Sequence, residues 1–264
     1  MTNTSYEIDP HPADLGGGWR LRLLENGEEV GGGVFPANHS DPDPTAPYDE
    51  ALAAASAWLS SREVARATPH MLTKSGIDYV PGALRVRDVR ISDTAHALAL
   101  ICRFGGHCTE HYSVAQHSLL VANILASIQS SPESVLCGLL HDAHEAYVGD
   151  VPTPIKAQLG GAWTDLEHQA EETVLDAFGL RDAMNDWHDI VKHADLVALA
   201  TERRDLLLFD STINLPWAIL DGVVPHQGLA APVSATPQRW SAVFLERFVM
   251  LRDVCDARSS IFTT

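Results

Sequence analysis

The chain has 264 residues, 45% of them hydrophobic, enough for one sizeable core and a small accessory unit. Lysine and arginine number 18 against 35 aspartates and glutamates, a formal charge of −17, and such a surface argues against a long nucleic-acid partner or an anionic membrane. No stretch approaches the roughly 18 consecutive apolar residues of a membrane span, Met1–Pro12 lacks the basic start and apolar run of a secretory signal, and Cys102, Cys108, Cys137 and Cys255 have no disulfide-framework spacing, so a cytoplasmic protein is expected.

Residues 1–66 read as a separate small ββα unit. Trp19–Leu24 alternates Trp, Leu and Leu with Arg, as a half-buried strand does. Asn26-Gly27 offers a type I′ hairpin turn, Val30–Phe35 reads as the return strand, Asn38–Pro47 as a loop and Tyr48–Ala67 as an Ala-rich helix. Neither Gly16–Gly18 nor Gly31–Gly33 leads into a helix with a following Lys-Ser or Lys-Thr, so neither reads as a phosphate loop.

Residues 67–264 read as an all-α bundle. Ser92 is placed as the cap of a helix running toward Arg103, and Ser113 as the cap of the next, with Val114, His117, Leu120, Val121 and Ile124 at helical spacing. Ser134–Tyr147 is apolar nearly all round in its first half and reads as one buried central helix. Thr164 with Glu167 suggests a capping box for a helix ending near Gly179, Ile190–Phe209 a further helix, and Thr236-Pro237 the start of the last.

The central helix carries His141, Asp142, His144 and Glu145 directly after Leu139-Leu140. Burying several ionisable groups costs several kcal/mol per ion unless they are paired or bind metal. Two other apolar helices each carry one more candidate, His117 and Asp195. Taken singly, a lone histidine is more often a hydrogen-bonded core residue, and a lone aspartate a solvated one. Together they form an imidazole and carboxylate set suited to Mn, Fe, Co or Zn, with Mg less favoured, and helices of one bundle can converge on such an ion.

The order His117, then His141-Asp142, then Asp195 resembles the signature of HD-superfamily phosphohydrolases. Ser113–Ser118, Gly138–Tyr147, Gly149–Lys156 and Lys192–Asp195 are similar to the branch holding bacterial 5′-deoxynucleotidases and phage deoxynucleoside triphosphate triphosphohydrolases, over residues 70–211. The resemblance implies an HD-domain helical bundle and one divalent metal held by His117, His141, Asp142 and Asp195. It implies Glu145 and Asp150 as catalytic acids, Arg103 and Lys156 on phosphate, Phe104 against sugar and base, and Pro154 in a closing loop. Phe104 stands where relatives often have Trp, which puts sugar discrimination in doubt. The expected substrate is a deoxynucleoside monophosphate, with a triphosphate as the rival, and a homo-oligomer is expected. A non-catalytic nucleotide sensor is a further alternative, disfavoured by the intact ligand set and Glu145. Glu202-Arg203-Arg204-Asp205 reads as an ion-paired helix face.

Overall fold

A computed structural model describes residues 3–37, 45–231 and 234–261, and the chain divides into two compact units, Met1–Pro69 and His70–Thr264. In the first, β1 (Thr4–Pro10), β2 (Trp19–Glu25) and β3 (Glu28–Phe35) form an antiparallel sheet in that order. Helix α1 (Ala46–Ala67) packs on it through Ala51 and Ala55 against Leu21, with Tyr6, Ile8 and Phe35 around them. Asn26 and Gly27 both have positive φ (53° and 85°), as a type I′ turn requires.

The expected ββα unit therefore has a third strand. Its sign was the alternation of Tyr6 and Ile8 with Ser5, Glu7 and Asp9, masked by a polar and acidic composition. Gly32 lies inside β3, where a Cβ would collide with the Leu21 carbonyl oxygen of the paired strand. Gly32 thus serves close strand approach. Of the loop expected at Asn38–Pro47, residues 38–44 lie outside the described part.

The second unit opens on a short hairpin, β4 (Met71–Leu72) with β5 (Asp78–Tyr79), where a purely helical pattern was expected. Helices α2 (Ile91–Leu100), α3 (Val114–Ser127), α4 (Pro132–Leu140), α5 (Glu145–Val148), α6 (Thr153–Leu159), α7 (Gly161–Phe178), α8 (Arg181–Leu206) and α9 (Pro237–Ile261) follow. Buried side chains run almost all round α3 and α4, which pack on each other and on α8 and α9 at the centre of the core. Gly138 permits the α3–α4 approach, since a Cβ there would meet Leu125 and lie 3.3 Å from Val121.

Caps and breaks depart from expectation at four places. Ser113 does cap α3, accepting from the Gln116 amide, and the Gln116 side chain accepts from the Ser113 amide in return. Ser92, however, lies inside α2, which starts from Arg90. Thr164 lies inside α7, which starts after Gly160. The helix expected over Ser134–Tyr147 stops at Leu140. His141–His144 form a tighter turn, bonded Ala143 N–H to Leu140 O and Glu145 N–H to Asp142 O, before α5. The stretch read as a closing loop around Pro154 is the short helix α6, with Pro154 in its first turn. No helix among the described residues is long and apolar enough to cross a membrane.

Candidate metal centre and cavity

Helix α3 contributes His117, whose side chain is fully buried, and α8 contributes Asp195. His141 and Asp142 come from the turn where α4 ends. The His117 and His141 Nε2 atoms lie 3.2 Å apart. Asp142 Oδ2 is 3.4 Å from the first and 3.1 Å from the second, and Asp195 Oδ1 is 3.3 Å and 3.9 Å from them. His117, His141 and Asp195 each present one ligand atom within 4.8 Å of the others, as a group that could hold a metal does.

The far side of each imidazole fixes its proton. His117 Nδ1 donates to Glu202 Oε1 at 2.6 Å, and His141 Nδ1 donates to the Gly138 carbonyl at 2.8 Å. Each Nε2 is then left with a bare lone pair, and the two lone pairs face each other between two carboxylates. Such a group holds together only around positive charge, so the residues fit a divalent metal. Without a metal, a proton meets the same demand for positive charge. Burial and Arg103 press the His117 pKa down, yet the carboxylates of Glu202 and Asp195 prevail and push it up to about 9. Burial opposes ionisation of Asp142 and Asp195, but the neighbouring imidazoles hold both carboxyls well below the usual range.

The group opens into a cavity of about 570 Å³, within the ~300–1,000 Å³ of small-molecule sites. Arg103, Phe104, Asp142, Glu145, Asp150, Pro154, Lys156 and Asp195 all line it. Glu145, at the start of α5, is buried and its Oε2 has no hydrogen-bond partner. Burial first, then the charges of Asp142 and Asp150, raise its pKa well above the ordinary value. Burial also raises that of Asp150.

The sequence model of the family described as "5'-deoxynucleotidase YfbR-like" matches residues 92–202. The uncharacterized protein YfdR of Escherichia coli (strain K12) is 35% identical over 176 residues, 67% of this chain and 92% of that protein. The chain belongs to the YfbR-like 5′-deoxynucleotidase family. An uncharacterized protein of Rhodobacter capsulatus is similar as well, 32% identical over 177 residues, 63% of this chain and 88% of its own. The YfbR-like family belongs to the HD superfamily of nucleotide phosphohydrolases, which normally bind a divalent metal.

The YfbR-like frame makes three departures from the expectations informative. Arg103 does not end a helix. It starts a 3-10 turn after α2, held to the ligand helix by the Arg103 N–H to Tyr112 O bond and the Cys102–Ser113 bridge. Phe104, next in that turn, has φ 56°, a left-handed conformation that non-glycine residues rarely adopt. Lys156 is paired with Glu167 of α7, and His144 lies 3.7 Å from the same carboxylate.

Glu202 corrects the reading of an ion-paired surface face. It is fully buried and joins His117 to Arg103, which donates to its Oε2 at 3.3 Å. Its signal was spacing: Asp195 plus seven residues is two turns along one face of α8, the face that buries Ala194, Ala198 and Thr201. The sequence reading also missed Lys192, which donates to Asp195 Oδ2 at 2.7 Å, and Trp217, which lines the cavity.

Proposed function

We propose that the chain is a metal-dependent 5′-deoxynucleotidase, releasing phosphate from deoxynucleoside monophosphates. The observation that supports this best is the meeting of two imidazole Nε2 atoms with Asp142 and Asp195, carboxylates that line one cavity with a buried Glu145 whose Oε2 has no partner. His117, His141, Asp142 and Asp195 would hold one divalent ion, with Mn, Co, Fe or Zn suiting the donors better than Mg. Such an ion lowers the pKa of water and offsets charge on a phosphoryl group.

The chain's own residues do the rest. Arg103 grips phosphate oxygens through its fork of donors, and Lys156 adds a point charge. Water forms the new bond to phosphorus as the bond to the 5′ oxygen breaks, and Glu145, buried with a free Oε2, passes the proton from the water to that oxygen. Asp150 orients water or the leaving group. Phe104 has no donor and meets the sugar by shape, so a 2′-hydroxyl pressed on it loses water without gaining a partner, a cost of about 1–3 kcal/mol.

Charge favours a monophosphate over the rival triphosphate. Arg103, Lys156 and Lys192 face four carboxylates of the lining, and each cation already has a carboxylate partner. One divalent ion makes that balance only slightly positive. Incubation with mono- and triphosphates and Mn²⁺ or Co²⁺, with products separated by chromatography, tests the reading. Nucleoside and phosphate are expected from monophosphates, and release of inorganic triphosphate would establish the rival. Glu145→Ala should lower kcat by roughly 10²–10⁴-fold with metal content unchanged. Near-normal turnover in that variant would remove Glu145 from the chemistry.

A further inference from the structure

The cavity has a second, apolar side that the phosphate chemistry leaves unused. Leu196 and Leu199 of α8 contribute to it, together with Phe104, Trp217 and Ile219. Trp217 and Ile219 come after the end of α8, beyond the residues the family model matches, which stop at 202. The Trp217 and Phe104 ring centroids are 6.4 Å apart with planes tilted by 39°, so the rings form an open wedge and not a closed stack. Trp217 is braced from behind. The Arg203 guanidinium sits 5.6 Å from its ring centroid and 4.5 Å from that of Phe209, and Phe209 meets Trp217 edge-on at 6.4 Å.

We infer that Trp217 is the platform of a nucleobase subsite, on which the base of the substrate stacks while its phosphate lies among Arg103, Lys156 and the metal ligands. The inference rests on the proposed nucleotide substrate. A large flat apolar group joined to an anion is the ligand class that matches an aromatic wall and a cationic wall in one cavity. Apart from Thr153 and the indole N–H of Trp217 itself, the lining offers no neutral polar side chain among the described residues. The base is therefore held by its face and not read by hydrogen bonds at its edge, a mode that tolerates every base and favours purines by their larger area. Arg203 and Phe209 act as positioning residues that keep the indole in place.

Two measurements test the subsite. In the first, kcat and KM are determined for deoxyadenosine 5′-monophosphate and for deoxyribose 5-phosphate, which has no base, with wild type, Trp217→Ala and Trp217→Phe. Trp217→Ala should raise KM for the nucleotide roughly 5- to 100-fold with kcat little changed. It should leave deoxyribose 5-phosphate turnover at the wild-type level, and Trp217→Phe should restore most of the affinity. Equal losses on both substrates, or an unchanged nucleotide KM, would overturn the subsite. In the second, binding of deoxyadenosine, which cannot be hydrolysed, is followed by equilibrium dialysis. Wild type and Trp217→Phe should bind it and Trp217→Ala should not; binding that ignores residue 217 overturns the inference. If deoxyadenosine binding depends on Trp217 but no monophosphate is hydrolysed, the proposed reaction falls and the base subsite stands.

Discussion

Glu202 shows how one buried carboxylate can serve two sides of a site. Burial alone would raise its pKa, but His117 first and then Arg103 stabilise the charge and hold it below the ordinary value. Glu202→Gln keeps the shape and one acceptor but removes the charge, so His117 loses basicity toward a metal and Arg103 loses its anchor. Metal affinity should fall roughly 10- to 100-fold, with Glu202→Asp intermediate. Competition against a chelator measures this directly and needs no turnover. Unchanged affinity would reduce Glu202 to a packing role.

At the scale of elements, the turn that ends α4 sets His141 against His117 and Asp142 at the cavity, and its placement depends on how closely α4 lies on α3. Gly138→Val would force the α3–α4 contact apart at Leu125 and Val121, costing about 2–3 kcal/mol. It would also shift the carbonyl that accepts from His141 Nδ1. Denaturant unfolding and metal content should therefore fall together. A second element contact pins the chain after α8. Asp205 accepts from Arg204 and from the Ala230 amide at 2.9 Å, and its carboxyl is lowered chiefly by the Arg204 hydrogen bond. A depressed native pKa gives stability that is present above the unfolded value near 3.9 and is lost as pH falls through the native one. Asp205→Ala should thus cost about 1 kcal/mol at pH 7, and the gap from wild type should shrink as pH drops below about 4. A gap that grows on acidification would contradict this sign.

For the molecule as a whole, every described residue lining the cavity comes from His70–Thr264, and Met1–Pro69 has its own small core. A chain beginning at His70 should stay folded, take up metal and hydrolyse nucleotide at near wild-type kcat. Circular dichroism, metal analysis and turnover on the same preparation check this. A shortened protein that is folded and metal-loaded yet inactive would make Met1–Pro69 a contributor to catalysis.

The amino-acid sequence by itself determined the helical class of the main unit, the Asn26-Gly27 hairpin, the Ser113 cap and the grouping of ionisable residues with apolar neighbours. Each depends on interactions within a few residues or on periodicity, which one strand of sequence displays in full. Tertiary structure decided the rest. Tyr6 and Ile8 became a strand because the sheet supplied partners for β1. The helix through His141 gave way to a turn bonded from Ala143 to Leu140 and from Glu145 to Asp142. Glu202 and Trp217 joined the site across 85 and 113 residues from His117 and Phe104. Their roles follow from which faces meet in space, and local pattern carries no record of that.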